Sequence, residues 1–163
     1  MVNHNIYETL DQLNISYQNI DHPPVFTNDQ ARMLVPTEKG ASAKNLFLRD
    51  RKGKRHFLIM LDDNKELDLI NLAAQIGSSR LSFASKERLM THLGIEPGSV
   101  SPLALINDTD HAVELWVDPT LIEQDFIQCH PLVNTSTLII SVSDLFRFFD
   151  KTGHKTNFIS IQS

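Results

Sequence analysis

Three short segments of the sequence carry groups that could act on a carbonyl compound. Lys44 and Asn45 precede the apolar run Leu46–Leu48, a loop spans Gly98–Pro102, and His130 opens a polar stretch. A lysine supplies a positive charge, an asparagine amide can orient a carbonyl or hydroxyl, and glycine lets a loop turn its N–H groups towards one oxygen. Taken singly, each segment also fits an ordinary role: a solvated lysine, a simple turn or a hydrogen-bonded loop histidine.

Common catalytic motifs are absent from the sequence. It contains no GxGxxG, GxxxxGK[ST] or HExxH pattern, so dinucleotide binding, P-loop nucleotide hydrolysis and zinc proteolysis lose their usual support. The seven histidines are scattered without ligand spacing, and the single cysteine, Cys129, excludes an internal disulfide and a multi-cysteine metal site. Cys129 precedes His130, but strand neighbours point to opposite faces, so we expect a buried structural cysteine. We therefore expect neither a metal nor a cofactor.

Positive charge is concentrated in one part of an acidic chain. The net charge is −5, with 15 basic and 20 acidic residues, which argues against non-specific nucleic-acid binding, DNA included. Residues 32–55 nevertheless hold eight basic and two acidic residues, so this window is +6 and the remainder is −11. We interpret the window as a candidate contact for phosphates, and the alternative for residues 49–55 is a solvated hairpin tip.

Helices and strands interleave along the 163 residues, which predicts one α/β or α+β domain over residues 1–163, built on a mixed sheet. The clearest signal is a hairpin of two apolar strands around the loop 50–54. Helices are predicted near residues 6–13, 28–34, 68–76, 85–93 and 143–151, with a short one at 119. Strands are predicted near residues 17–21, 46–48, 56–61, 81–84, 103–106, 112–117, 126–129, 137–141 and 157–161.

Location follows from what the sequence lacks. Its apolar runs have only the length of strands, so we expect no transmembrane span and no membrane partner. The first residues, MVNHNIYETLDQL, have neither a basic start nor an apolar stretch of signal-peptide type. We therefore expect a cytoplasmic protein.

Six segments, in order, resemble the superfamily of YbaK and prolyl-tRNA-synthetase-associated editing domains, in particular its freestanding ProX/PrdX type. They are HPPVFT (22–27), KNLFLRD (44–50), LDLINLAAQIGSSRLSFAS (67–85), LGIEPGSVSPLALIND (93–108), CHPLVNTSTLIIS (129–141) and DLFRFFDKTGH (144–154). The resemblance implies a mixed β-sheet core wrapped by helices. It also implies a trans-editing deacylase that hydrolyses the ester of alanine mischarged on proline tRNA.

The resemblance assigns roles to particular residues. Lys44 matches the family's essential lysine, Asn45 its polar neighbour and His130 its pocket histidine, and we take these three as the catalytic candidates. The segment 39–43 before Lys44 lacks a histidine often found there, which affects only the pocket rim. The implied substrate-binding residues are Phe26, Thr27, Gly98, Ser99, Val100, Ser101, Pro102, Asn134 and Thr135.

The same resemblance implies a mechanism without a protein general base. Amides of the Gly98–Pro102 loop would hold the ester carbonyl, Lys44 would anchor the terminal phosphate or ribose as a cation, and a ribose hydroxyl would assist the water. A pocket too small for proline would select alanine, with Val100, Leu105 and His130 as walls. The implied contacts to the acceptor end of tRNA are Arg49, Arg51, Lys52, Lys54, Arg55 and Arg80.

Three alternatives stay open at this point. The substrate could be cysteine or serine on tRNA, because pocket volume cannot be read from sequence. The protein could also be a non-catalytic module that binds tRNA or a synthetase. Docking on prolyl-tRNA synthetase is a further open question.

Overall fold

Two β-sheets share an apolar core in the computed structural model, which describes residues 5–25, 27–36 and 39–160. The helices are α1 (Ile6–Gln12), α2 (Asn28–Leu34), α3 (Leu69–Ile76), α4 (Lys86–Leu93) and α5 (Val142–Thr152). The strands are β1 (Tyr17–Asp21), β2 (Ala43–Arg49), β3 (His56–Asp62), β4 (Ser82–Phe83), β5 (Val113–Val117), β6 (Phe126–Cys129), β7 (Ser136–Ser141) and β8 (Thr156–Phe158). Two 3₁₀ helices span Pro102–Asn107 and Pro119–Glu123.

The strands divide between a small sheet and a larger one. The three-stranded sheet has the order β1-β7-β6 and is antiparallel throughout. The five-stranded sheet has the order β4-β2-β3-β5-β8 and is mixed, because β3, β5 and β8 run parallel while β2 is antiparallel to both its neighbours. The predicted α/β class with a mixed sheet is confirmed, and the structure adds the second, antiparallel sheet.

The predicted hairpin is formed by β2 and β3, which pair from Ala43↔Asp62 to Arg49↔His56. Its loop is closed by Asp50, whose Oδ1 accepts from the N–H groups of Lys54 and Arg55 at 2.8 and 3.1 Å. Because strand side chains alternate between faces, one face of the hairpin packs towards the three-stranded sheet and the other towards α3. β3 is therefore buried along almost its whole length, whereas β2 is half-buried at its beginning.

Short-range capping signals in the sequence account for several helix ends. The Asp68 carboxylate accepts from two N–H groups at the start of α3, and the Ser85 hydroxyl does so for one at the start of α4. Gly77 and Gly94 end these helices in the left-handed conformation, which glycine adopts without strain. None of the helices in the described ranges has the length and apolar character needed to cross a bilayer.

One predicted element was wrong. Residues 103–106 were expected to form a buried strand, but they belong to the 3₁₀ helix Pro102–Asn107. Ser101 caps this helix, since its hydroxyl accepts from the N–H of Leu103 at 3.2 Å, and Pro102 occupies the first helical position. The run is apolar because it is buried, and a short buried run does not by itself distinguish strand from helix.

A buried carboxylate fixes the end of β3. Asp118 is fully buried and accepts hydrogen bonds from the N–H of Asp62, from the N–H and hydroxyl of Thr120, and from Lys65 Nζ at 2.9 Å. Burial alone would raise the pKa of Asp118, but these hydrogen bonds, above all that from Lys65, hold it below its ordinary value. The turn after β3 is thereby tied to the start of the 3₁₀ helix Pro119–Glu123.

His56 lies buried at the start of β3, with only 4% of its surface exposed. Its ring stacks on Phe47 with 5.6 Å between centroids and lies 4.1 Å from the ring of His92. Arg88 Nη1 donates to His56 Nε2 at 3.0 Å, an interaction that requires the neutral imidazole. Burial, followed by the nearby charges of His92 and Arg88, lowers the pKa of His56 to about 4.

We expect His56 to reduce stability as the pH falls from about 7.5 to about 5. The unfolded chain protonates this ring near the ordinary pKa of 6.5, whereas the folded protein does so only near 4, so acid favours unfolding. The His56→Gln variant keeps an acceptor for Arg88 and should lose about 2 kcal/mol less stability over that range. Urea unfolding of both proteins at the two pH values measures this difference, and equal losses would contradict the assignment.

Candidate active site

A cavity of about 290 Å³ lies where the beginning of β2 meets one end of the three-stranded sheet. Its walls come from the segment before α2, from β2, from the Gly98–Pro102 loop, and from β6 and β7. The lining residues are Val25, Thr27, Ser42, Ala43, Lys44, Asn45, Leu46, Gly98, Val100, Gln128, Cys129, His130 and Thr137. The three segments that the sequence analysis singled out therefore meet at one cavity.

Lys44 lies on β2, opposite Leu61 of β3, and its ammonium is held in a defined position. Lys44 Nζ donates to the carbonyl oxygen of Lys65 at 2.7 Å. The side chain of Lys65 in turn reaches Asp118, so a buried carboxylate fixes the turn that receives Lys44. An ammonium has three N–H donors, and this bond uses one of them. Two donors remain for a ligand in the cavity.

Asn45 contributes an unused acceptor beside Lys44. Its side-chain Oδ1 is buried and has no hydrogen-bond partner among the described groups. A buried amide oxygen without a partner is uncommon in folded proteins, and polar cavities are where such groups are found. Asn45 is therefore suited to a ligand that brings its own donor.

His130 is half-buried at the end of β6 and has one ring nitrogen committed. Its Nδ1 lies 3.1 Å from the carbonyl oxygen of Ser136, to which it donates, so Nε2 of the neutral ring is an acceptor. Burial lowers the pKa of His130; the Ser136 bond opposes this, and the nearby His22 adds to the lowering. The cavity therefore favours the neutral form of the ring.

The Gly98–Pro102 loop presents two residues to the cavity and uses the others as anchors. Gly98 and Val100 line the cavity, and the φ of 90° at Gly98 is one that residues with a side chain rarely adopt. Ser99 is buried and its N–H donates to the carbonyl of Glu96 at 3.1 Å. The Ser99 amide is therefore already engaged within the turn and is not free to hold a substrate carbonyl.

Two predicted pocket residues brace a neighbouring segment instead of lining the cavity. Asn134 Nδ2 donates to the carbonyl of Val25 at 3.0 Å, and the N–H of Val25 donates back to the carbonyl of Asn134 at 3.2 Å. The carbonyl of Thr135 accepts from the N–H of His22 at 2.9 Å. These bonds hold residues 22–25, the segment that brings Val25 to the cavity wall.

Other predicted positions are distributed as follows. Thr27 lines the cavity, and its hydroxyl accepts from the N–H of Gln30 at the start of α2. Leu105, expected as a wall, lies instead in the shared core and is absent from the lining. Phe26 lies outside the described residues. Cys129 is buried and burial raises its pKa to about 12, so the thiol stays protonated, as expected for a structural cysteine.

Seven lining residues were not among the site residues expected from the sequence: Val25, Ser42, Ala43, Leu46, Gln128, Cys129 and Thr137. Gln128 Nε2 donates to three carbonyls of the segment after α2, the nearest being that of Gly40 at 3.0 Å. The Thr137 hydroxyl lies 2.8 Å from His22 Nε2, and the His22 and His130 rings meet edge-on with 6.5 Å between their centroids. Ser42 and Ala43 could have been found by extending β2 towards the amino terminus, whereas the places of Gln128 and Thr137 depend on strand pairing.

The cationic window divides into engaged and exposed groups. Arg55 forms two hydrogen bonds with the Glu114 carboxylate, at 2.8 and 2.9 Å, and lies over the ring of Phe57. Arg49 donates to two backbone carbonyls of its own loop. Lys39 is exposed before β2, the loop of the hairpin exposes Arg51, Lys52 and Lys54, and a neighbouring loop outside the window exposes Arg80. The tip cluster consists of Arg51, Lys52, Lys54 and Arg80.

The tip cluster and the cavity lie at opposite ends of β2. The N–H of Arg51 donates to the hydroxyl of Ser79 at 3.1 Å, which brings the loop carrying Arg80 to the hairpin tip. Lys44 and Arg49 are near the two ends of the strand, roughly 17 Å apart at the rise of an extended chain. Lys44 and the tip cluster therefore lie at separate places along β2. Within the described ranges, no three His, Cys, Asp or Glu side chains converge as a metal site.

The chain is similar to known proteins in both family and sequence. A family model described as the aminoacyl-tRNA editing domain matches residues 22–148. The chain is 37% identical over 145 residues to the prolyl-tRNA editing protein ProX of Acetoanaerobium sticklandii, covering 89% of this chain and 88% of that protein. It is also 37% identical over 149 residues to prolyl-tRNA synthetase associated domain-containing protein 1 of Danio rerio, covering 90% and 80%.

Solved structures share the fold at low sequence identity. The hypothetical protein APE2540 superposes with a TM-score of 0.74 at 17% identity, over 98% of this chain and 100% of that one. A proposed trans-editing enzyme for prolyl tRNA synthetase gives a TM-score of 0.71 at 16% identity, over 100% and 99%. Together with the family match over most of its length, these comparisons establish that the chain belongs to the aminoacyl-tRNA editing domain family.

Proposed function

We propose that this chain hydrolyses the ester between alanine and mischarged proline tRNA, in trans to the synthetase, as a single editing domain over residues 1–163. The observation that carries this proposal is the meeting of Lys44, Asn45, the Gly98–Pro102 loop and His130 at one small cavity. The reaction class follows from the family, which places the chain among hydrolases of mischarged aminoacyl-tRNA. The choice of proline tRNA rests on relatives that are named for prolyl-tRNA editing.

The cavity offers the groups that ester hydrolysis needs. Water attacks the ester carbonyl, the bond to the ribose oxygen breaks, and that oxygen takes up a proton. Lys44 keeps two N–H donors that can bind the ribose or terminal phosphate and stabilise the negative charge of the transition state. The neutral His130 ring offers Nε2 as an acceptor that can orient the water. A ribose hydroxyl of the tRNA supplies the remaining assistance.

Size accounts for the choice of amino acid. The cavity of about 290 Å³ lies at the small end of ligand pockets and has Val100 and the His130 ring in its wall. A synthetase pocket built for proline rejects the smaller alanine by only about 1–3 kcal/mol per missing methylene. A second, smaller pocket excludes the proline ring by overlap and removes the alanine that the first one accepted.

The tip cluster supplies the tRNA contact in this proposal. Arg55 is paired with Glu114, whereas the four basic side chains of the tip cluster are exposed. They can therefore bind phosphates of the acceptor end. Prolyl-tRNA synthetase is a further proposed partner, suggested by the names of the vertebrate relatives. We place the activity in the cytoplasm, where tRNA is charged.

The direct test compares proline tRNA charged with alanine, serine, cysteine and proline. We expect alanyl-tRNA to be hydrolysed fastest and prolyl-tRNA to be spared, as measured by the loss of labelled amino acid from tRNA. If serine or cysteine is lost faster than alanine, the substrate is seryl- or cysteinyl-tRNA and not alanyl-tRNA. Tight, salt-sensitive tRNA binding with no loss of any ester would instead identify a non-catalytic module.

Lys44→Ala should lower the rate of alanyl-tRNA hydrolysis about 10²-fold or more, because a positioned donor at the reacting ester is removed. Lys39→Ala is the matched control, since Lys39 is an exposed lysine of the same segment. Single-turnover assays give the rates, and thermal unfolding verifies that both variants fold. A Lys44→Ala rate equal to that of the control would refute the role of Lys44.

Val100→Ala should enlarge the cavity and relax the exclusion of proline. We expect prolyl-tRNA hydrolysis to rise about tenfold or more relative to alanyl-tRNA hydrolysis, because steric exclusion of this kind is worth about 1–3 kcal/mol. The ratio of the two rates is the measurement, so a general loss of activity does not obscure the result. An unchanged ratio would show that Val100 does not set the size limit.

Replacing Arg51, Lys52 and Lys54 by Ala together should weaken tRNA binding and its dependence on salt. Removing one basic group from a phosphate reduces the slope of log affinity against log salt by about 0.7–0.9. The Lys151→Ala variant removes an exposed charge from α5 and serves as the comparison. Filter binding at several salt concentrations measures both slopes; if they agree, the tip cluster does not bind tRNA.

A further inference from the structure

The outer edge of β2 is paired at both ends and open in the middle. Just before β2, the N–H of Ala41 donates to the carbonyl of Phe126 and its carbonyl accepts from the N–H of Gln128, at 2.9 and 3.0 Å. At the other end, the carbonyl of Phe47 accepts from the N–H of Ala84, and β4 pairs with residues 48–49. Among the described residues, no strand pairs with this edge over residues 43–45.

The alternation of the strand shows which backbone groups face the open stretch. Along an extended strand, the N–H and C=O of one residue point to the same side, and those of the next residue point to the other side. The carbonyl of Ser42 faces β3, because it accepts from the N–H of Asp63 at 3.1 Å. Ala41 and Phe47 bond away from β3, so the backbone groups of Ala43 and Asn45 also point away from it. Both of these residues line the cavity.

An aminoacyl ester has the polar pattern of one strand residue. Its α-ammonium is a donor and its carbonyl an acceptor, separated by a single carbon. In an antiparallel hydrogen-bonded pair, one residue donates its N–H to the partner's carbonyl and accepts from the partner's N–H. A single residue on the open edge can therefore satisfy both ends of an aminoacyl group.

We propose that Asn45 binds the aminoacyl group as a one-residue antiparallel strand through its own main chain. Its N–H donates to the ester carbonyl oxygen, and its C=O accepts from the α-ammonium. This inference rests on the proposed function and assigns the carbonyl donor, a role that the Ser99 amide cannot fill because it is bound to Glu96. The unpartnered Asn45 Oδ1 is a second acceptor on the same residue, suited to an ammonium with three donors.

Main-chain recognition has consequences for both rate and specificity. The Asn45 N–H is fixed by the pairing of β2 with β3, so it is preorganised for the charge that develops on the carbonyl oxygen. The two hydrogen bonds read only the α-amino acid backbone and leave the choice of side chain to the cavity walls. A substrate in which a neutral hydroxyl replaces the α-ammonium keeps the bond to its carbonyl oxygen, but it offers Asn45 one uncharged donor in place of a charged group with three donors.

The first test changes the substrate and leaves the protein intact. Alanyl-tRNA is compared with lactyl-tRNA, in which a hydroxyl replaces the α-ammonium, and each enzymatic rate is divided by the spontaneous hydrolysis rate of the same ester. We expect the normalised rate of the lactyl ester to be at least tenfold lower. Equal normalised rates would overturn the proposed bond to the ammonium.

The second test removes the N–H of Asn45. Proline is tolerated where an edge N–H has no strand partner, so Asn45→Pro deletes this donor at little cost to the sheet. Asn45→Ala is the matched variant, because it removes the same side chain and keeps the N–H. We expect kcat for Asn45→Pro to be about 10²-fold below that of Asn45→Ala. Ala43→Pro removes the neighbouring N–H on the same edge, and we expect it to lower kcat less than Asn45→Pro does.

The outcomes separate this inference from the proposed function. Equal kcat for Asn45→Pro and Asn45→Ala, or a larger loss in Ala43→Pro, overturns the assignment to Asn45 while the deacylase stands. A wild-type protein that hydrolyses no aminoacyl-tRNA overturns both. If thermal unfolding shows that Asn45→Pro is not folded, replacing the amide of residue 45 by an ester removes the same N–H and decides the question by the same comparison.

Discussion

The candidate site depends on the pairing of β2 with β3 and on the buried charge that holds the end of this hairpin. Asp118 is the fixed point: it binds Lys65, and the backbone of Lys65 receives the ammonium of Lys44. An ion pair with so little exposure is stabilising only because its other hydrogen bonds are also satisfied, here by Asp62 and Thr120. The catalytic candidate thus lies on a paired strand, and its ammonium is held by the backbone of the turn that Asp118 fixes.

Local chemistry explains which parts of the fold were predictable. The hairpin and the helix ends follow from neighbouring residues, such as Asp68 and Gly77 around α3. The division of strands between two sheets, and the placement of Gln128 and Thr137 at the cavity, depend on contacts between distant segments that periodicity does not encode. The run 103–106 shows the same limit, because burial on all sides removes the pattern that separates a strand from a helix.

The sequence predicts which residues belong to the site better than it predicts what each of them contacts. Resemblance to the family brought Lys44, Asn45 and His130 together, and the structure places all three at one cavity. Asn134 and Thr135 belong to the same motif but bind the backbone of the segment before α2. A sequence motif contains residues that hold the local structure as well as residues that contact the substrate. The sequence alone does not tell the two kinds apart.

A structure with a non-hydrolysable alanyl-adenosine, in which an amide replaces the ester, tests the central claim most directly. We expect the alanyl methyl group inside the cavity beside Val100 and the adenosine directed towards solvent. We also expect the alanyl carbonyl oxygen at about 2.7–3.2 Å from the main-chain nitrogen of Asn45. An analogue bound elsewhere, or bound with its amino acid outside the cavity, would contradict the proposed site.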